Sequence, residues 1–298
     1  MRVYFRALSI LIVLGSMLAA CGAATPAAET KAATPLIISA IPDQDPEKLN
    51  RLYPQVAAYL SAELGIPVEY KPVTDYTAAV TAFKVGDLDL VWYGGLTGVQ
   101  ARLQVPGAQA IVQRDIDATF HSIFITNSAS GIASIADLKG KTFTFGSETS
   151  TSGRLMPQYF LGQEGIQLSD FKGEAGFSGS HDKTIGLVES GTYDAGAVNE
   201  QVWKKTLADG KVDQSKVVAF YTTPAYYDYH WVLNPGAVDR YGADFTQKVQ
   251  QAFFKLDPAK SADKEILDLF GATKFIATTN ENYTQIETIG RAIGKITP

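Results

Sequence analysis

Residues 141–157 read Lys-Thr-Phe-Thr-Phe-Gly-Ser-Glu-Thr-Ser-Thr-Ser-Gly-Arg-Leu-Met-Pro. A β-rich run from Lys141 to Phe145 gives way to a polar loop, and the spacing after it predicts a helix over 153–164. A strand that passes through a short loop into a helix is the repeating unit of an α/β fold. Ser150, Thr151 and Ser152 stand at the helix start, where unpaired backbone N–H groups and the helix dipole favour negative charge. Ordinary N-capping needs only one hydroxyl, so this stretch by itself is compatible with a simple cap or an anion cradle.

The same unit recurs on both sides. Upstream, a buried strand over 36–41 ends at Pro42 and Asp43, and a helix over 49–64 stops at Gly65. A strand over 68–73, a helix over 76–84 and a strand closed by Gly94 and Gly95 follow, then a helix over 97–103 and a strand over 108–113. This βαβαβ rhythm predicts a largely parallel sheet covered by helices. From Ser122 a second α/β unit begins, and strands over 217–221 and 229–233 precede three C-terminal helices. Two such units in series predict two lobes around a cleft, with ligand beyond the carboxyl ends of the strands.

The residues just after those strands are therefore the candidates. His181, at the helix start that follows Phe177, can donate to an oxyanion or serve as a surface neighbour of a cap. Tyr76 and Tyr93 offer phenolic donors, although aromatics at such places are usually core, and Gly94 and Gly95 let a ligand approach the backbone. Asp228 lies in the aromatic stretch 224–231. It reads equally as a solvated turn aspartate or as an acceptor for a ligand that keeps an acidic P–OH proton.

At the N-terminus Arg2 and Arg6 precede an apolar run over 7–18 and the sequence Leu18-Ala19-Ala20-Cys21. That run is well short of the roughly 20 residues needed to span a bilayer. It reads as a cleaved signal peptide, 1–20, ending in a lipobox. The pattern resembles bacterial lipoproteins, in which the cysteine carries lipid, so Cys21 is expected to anchor the protein outside the cytoplasmic membrane. Cys21 is the sole cysteine, which leaves no disulfide or thiol chemistry for the mature fold. Residues 21–35, small, polar and proline-punctuated, read as a flexible tether. A net charge of −5 with no basic run argues against nucleic acid as a partner.

Six elements in order are Ser-Ala-Ile-Pro-Asp (39–43), Asp-Tyr (75–76), Trp-Tyr-Gly-Gly (92–95), Ser-Thr-Ser-Gly-Arg-Leu-Met-Pro (150–157), Phe-Ser-Gly-Ser-His-Asp (177–182) and Pro-Ala-Tyr-Tyr-Asp-Tyr (224–229). Together they resemble the phosphate, phosphite and phosphonate substrate-binding family of ABC importers, over essentially all of residues 36–298. The resemblance implies a two-lobed periplasmic-binding-protein fold, type II-like, with two open mixed sheets flanked by helices. The expected lobes are 36–120 with 235–298, and 121–234. It further implies that Tyr76, Tyr93, Ser150, Thr151, Ser152 and His181 hold the oxyanion, that Asp228 receives its proton, and that Asn199 is a neighbour. An ABC permease and ATPase would be the partners of a monomer.

Details of the motifs are similar to a branch associated with selenate. An ionised Asp228 should disfavour that anion, which has no proton to give at neutral pH. A sensor for a membrane kinase would need the same clamp and tether. A hydrolase built from Ser150 or Ser152, His181 and Asp228 is the remaining alternative. Against it, no Gly-x-Ser-x-Gly, His-Glu-x-x-His, P-loop or dinucleotide fingerprint occurs. The cheap Ser-x-x-Lys pattern occurs twice, at 180–183 and 261–264. No enzyme activity, cofactor or metal is expected.

Overall fold

The computed structural model describes residues 34–297. The expected signal peptide, Cys21 and most of the expected tether lie outside the described residues. The first sheet contains β1 (Leu36–Ala40), β2 (Val68–Tyr70), β3 (Leu90–Tyr93) and β4 (Gln109–Arg114). The second contains β5 (Ser122–Asn127), β6 (Phe143–Phe145), β7 (Gly176–Phe177), β8 (Ala195–Asn199) and β9 (Val217–Thr222). The chain then returns to the first sheet with β10 (His230–Leu233) and β11 (Phe275–Ala277), giving the orders β11-β4-β10-β3-β1-β2 and β7-β6-β8-β5-β9.

Both sheets are mixed. Five of the nine strand pairings are antiparallel, so the expectation of a largely parallel sheet needs correction. The strands responsible are those next to the crossings between sheets: β5 and β9 run against each other, and β10 runs against β3 and β4. β10 also lies within 121–234, the segment expected to form the second lobe, yet its hydrogen bonds place it in the first sheet.

The helices follow from local signals. α1 (Pro46–Leu64) starts with Asp45 accepting the Glu47 amide, has proline in its first turn, and ends at Gly65 with φ 67°, a left-handed conformation suited to glycine. α2 (Tyr76–Lys84) is capped by Asp75, and α3 (Gly95–Gln104) begins at Gly94. In the second lobe α4 (Met156–Gln163), α5 (His181–Glu189) and α6 (Glu200–Ala208) each follow a strand. α7 (Pro235–Tyr241), α8 (Phe245–Phe254), α9 (Ser261–Phe270) and α10 (Thr284–Ala292) complete the first lobe.

Two segments cross between the sheets side by side. Residues 115–121 lead out and 223–229 lead back, joined by reciprocal backbone hydrogen bonds between Phe120 and Tyr226, both 2.9 Å, and by Asp228 N–H to the Asp117 carbonyl, 3.1 Å. Beside them Arg114 and Asp117 form a buried ion pair, Nη2 to Oδ1 2.6 Å. The first lobe has one large apolar core, and the two faces of the second sheet carry separate, smaller ones. Leu155 and Met156, from the second lobe, are buried in the first lobe's core. Burial of such side chains contributes about 1.5–3 kcal/mol each, so the lobes are held together by packing next to the cleft.

Candidate functional site

The site is built from helix starts. Tyr76 opens α2, Gly95 opens α3 and His181 opens α5. Ser150 caps a single π-helical turn, Thr151–Leu155, that precedes α4. Such wide turns distort the regular ladder and are frequent at functional sites. Ser150 Oγ accepts the Gly153 amide at 2.9 Å and the Ser150 carbonyl accepts the Leu155 amide at 2.9 Å. The turn is braced from the start of β5 and the returning crossing segment. Ser122 Oγ donates to the Ser152 carbonyl at 2.8 Å and lies 2.7 Å from the Tyr226 hydroxyl.

Across the cleft, the first amides of α3 meet oxygens from elsewhere. Gly95 N–H donates to Asp228 Oδ1 at 2.9 Å and Leu96 N–H donates to Thr151 Oγ1 at 2.8 Å. The second bond joins the two lobes. A Cβ on Gly94 would stand 3.1 Å from Thr151 Oγ1 and 3.3 Å from Asp228 Oδ1, so the bare backbone there allows the close approach.

His181 is fully buried, and its Nδ1 accepts the Asn199 amide at 3.3 Å. Burial holds its pKa down at about 3. The ring is therefore neutral, with its proton on Nε2, 3.4 Å from the Tyr229 hydroxyl. Asp228 is fully buried too, and its carboxyl is pushed up to about 7, chiefly by burial. The Gly95 amide opposes that shift and the charge of Asp117 adds to it. Tyr76 Oη, Ser152 Oγ, Ser180 Oγ and Asp228 Oδ2 are buried with no hydrogen-bond partner. Unpaired buried polar atoms are costly to a fold, and four of them on residues around the cleft point to a polar ligand.

Tyr76, Ser150, Thr151, Ser152 and His181 are thus all buried at the helix starts that meet at the cleft, with Asp228 buried beside them on the returning crossing segment. Tyr93 is different. Its hydroxyl donates to the Ala79 carbonyl at 2.8 Å and its ring packs edge-on against Phe83, 5.9 Å between centroids, so the structure commits it to the core beneath α2. Asn199 lies beside the cluster as a brace. Its Oδ1 accepts the Val202 amide at 2.6 Å, capping α6, and its Nδ2 donates to the Tyr229 hydroxyl at 2.9 Å. The serine, histidine and aspartate triad weighed as an alternative is not assembled here: His181 is held by Asn199 and Tyr229, whereas Asp228 binds Gly95. The α3 amides, Ser180, Asp43 and Tyr229 were missed as participants, although Asp43, Gly95, Ser180 and Tyr229 all lie within the quoted motifs.

A cluster of neutral hydroxyls, amides and an imidazole around one titratable carboxyl suits a small oxyanion that carries a proton. Residues 38–283 match the family model described as the periplasmic substrate-binding protein of phosphonate ABC transporters. The chain is 48% identical over 268 residues to the probable ABC transporter phosphite binding protein PhnD1 of Prochlorococcus marinus, covering 88% of this chain and 90% of that one. It is 30% identical to the phosphonates-binding periplasmic protein of Escherichia coli over 58% of this chain and 54% of that one. The solved structure of PhnD1 from Prochlorococcus marinus in complex with methylphosphonate superposes with a TM-score of 0.85 at 47% identity, covering 88% of this chain and 98% of that one. A binding protein component of an ABC phosphonate transporter from Pseudomonas aeruginosa shares the fold, with a TM-score of 0.75 at 20% identity, covering 85% of this chain and 84% of that one. The chain belongs to the phosphonate-binding family of extracytoplasmic ABC-importer substrate-binding proteins, a family that binds and delivers solutes and is not enzymatic.

Proposed function

We propose that the chain captures one small tetrahedral phosphorus oxyanion, either phosphite, a short alkylphosphonate such as methylphosphonate, or phosphate, and presents it to its permease by lobe closure. The observation that carries this reading is Asp228 Oδ2, buried and unpartnered at the meeting of the α3 amides with the Ser150–Ser152 turn. A P–OH group can donate there while hydroxyls and amides receive the remaining oxygens. Hydrogen bonds to charge contribute about 1.5–3 kcal/mol each, so several give micromolar affinity or better.

Selenate is disfavoured for want of a proton, but less absolutely than an always-ionised aspartate would make it. With its pKa raised to about 7, Asp228 is neutral in a sizeable fraction of molecules at neutral pH and can then donate to a dianion. Discrimination against such dianions should sharpen as pH rises. We further propose that residues 1–20 are removed, that Cys21 carries the lipid anchor with residues 21–35 as leash, and that the protein acts as a monomer. Residues 36–114 with 230–298, and 122–222, would be its moving lobes, joined by the crossing segments 115–121 and 223–229.

Isothermal calorimetry with phosphite, methylphosphonate, phosphate, sulfate and selenate at pH 7.5 tests the reading. Tight binding of selenate or sulfate and none of the phosphorus anions would overturn it.

A further inference from the structure

We propose that Tyr229 and Asp43 form a positioning pair that clasps the two lobes and sets how long a bound anion is held. The inference rests on reading the buried cluster as an oxyanion site. Neither residue is an expected ligand, and neither has a part in the anion capture proposed above.

Tyr229 is fixed from the first lobe and the crossing segments. Its ring stacks on Trp92 with centroids 5.7 Å apart and planes at 18°, lies edge-on to Phe120 at 5.6 Å, and carries the Arg114 guanidinium 5.0 Å above it. A hydroxyl on a ring so enclosed has a set position. It meets two residues of the second lobe, Asn199 Nδ2 at 2.9 Å and His181 Nε2 at 3.4 Å.

The direction of these bonds follows from their neighbours. Asn199 Oδ1 already accepts the Val202 amide, so the side chain must present its NH2 group to Tyr229. His181 Nδ1 already accepts the Asn199 amide, so the neutral ring presents Nε2–H to the same oxygen. The phenol therefore accepts from the second lobe, and its own proton is free for the first. There Asp43 and Tyr229 line the same small cavity, with Trp92, Arg114 and Asn199 around them, and the buried Asp43 carboxyl, raised by desolvation, is eased back toward ionisation by the nearby Tyr229 hydroxyl. The Asp43 carbonyl, meanwhile, accepts the His181 amide, 3.1 Å, from the start of α5. Asp43 and Tyr229 thus hold the starts of both α5 and α6, and these bonds cannot persist if the lobes part.

The test is Tyr229→Phe, which keeps the ring and its packing, beside Asp43→Ala, which keeps the carbonyl. Stopped-flow fluorescence with methylphosphonate should show dissociation accelerated about tenfold in Tyr229→Phe, the worth of roughly one neutral hydrogen bond. Association should stay within twofold. Asp43→Ala should act in the same direction, and the double variant should be no worse than the stronger single. Small-angle X-ray scattering of the ligand-free Tyr229→Phe protein should show a larger radius of gyration than wild type. A Tyr229→Phe protein with unchanged dissociation rate and unchanged scattering overturns the clasp, even if its melting temperature falls. If wild type binds none of methylphosphonate, phosphite and phosphate, the oxyanion reading fails, and the ligand-free scattering still decides the clasp by itself.

Discussion

Asp228 reaches from the returning crossing segment to the first amide of α3, with Oδ1 2.9 Å from Gly95 N. One oxygen is thereby held by the first lobe, and the other, Oδ2, is left buried without a partner. The same helix start gives its next amide, Leu96, to Thr151 of the opposite lobe at 2.8 Å. A single turn of helix thus orients the titratable group and registers closure.

Asp228→Asn should retain the Gly95 contact through its carbonyl oxygen and present an amide donor where Oδ2 stood. Phosphite and methylphosphonate should bind more weakly, because no anion remains to receive P–OH. Selenate and sulfate should lose nothing. We expect the ratio of phosphite to selenate affinity at pH 8 to fall at least about tenfold, equivalent to roughly one charge-assisted hydrogen bond. Calorimetry of both anions decides it, and an unchanged ratio would contradict the role given to Oδ2.

Thr151→Val preserves shape and removes the acceptor for Leu96 N–H, leaving a buried amide unsatisfied whenever the lobes close. Such a group costs about 1–3 kcal/mol. Affinity for methylphosphonate should fall about tenfold or more, and Thr151→Ser should recover most of it. Because the bond lies between lobes, the ligand-free protein escapes the cost by opening its cleft rather than by unfolding either lobe, and its melting temperature should move little.

Much of this candidate site was legible in the chain because strand, loop and helix start are local features. Ser150, Thr151, Ser152 and His181 each follow a strand within a few residues, and helix starts expose amides whatever the surrounding fold. Tyr93 was misplaced because the choice between cleft and core depends on α2, whose Ala79 carbonyl captures its hydroxyl. β10 went to the wrong lobe for the same kind of reason. Its partners β3 and β4 are more than a hundred residues away, and no local pattern records that pairing. Tyr229 and Asp43 stood in recognisable motifs, yet their roles arise from contacts across the cleft.

Tyr93→Phe separates the core reading from the ligand reading. Loss of a buried hydrogen bond to Ala79 should lower stability by about 1 kcal/mol, measured by urea denaturation. Affinity for methylphosphonate should stay within twofold, and a tenfold loss would return Tyr93 to the site.

Gly153→Ala should damage the site through sterics alone. A Cβ there would lie 2.9 Å from both His181 Cε1 and Ser150 Oγ and 3.3 Å from Gly146 Cα. The turn and the imidazole would have to separate, at about 1–3 kcal/mol by analogy with overpacked cores. Melting temperature and methylphosphonate affinity should therefore fall together, in contrast to Thr151→Val.

The pH dependence follows from Asp228, whose carboxyl is pushed up to about 7, mainly by burial. On the proposed reading the complex holds one proton between this carboxyl and the anion. Phosphate esters lose their second proton near pH 6 and alkylphosphonates, whose carbon substituent withdraws less charge, at higher pH, so once pH exceeds both the ligand's value and that of Asp228 both separated partners have lost theirs and binding must take one up. Affinity should then fall toward tenfold per pH unit. Below about pH 6 both partners arrive protonated, and the slope should flatten or reverse. Folding stability has a fixed sign as well: a carboxyl raised above its ordinary value destabilises the fold above pH 7, and that stability returns as pH falls from 7 toward 4. Ligand-free wild type should therefore gain more melting temperature between pH 8 and pH 5.5 than Asp228→Asn does. Asp43 and Asp117, also raised by burial, act in the same direction in both proteins and cancel in the difference. Calorimetry of methylphosphonate from pH 5.5 to 8.5, with thermal melts at the same pH values, measures both effects. A flat affinity profile in wild type would show that no proton is shared with Asp228.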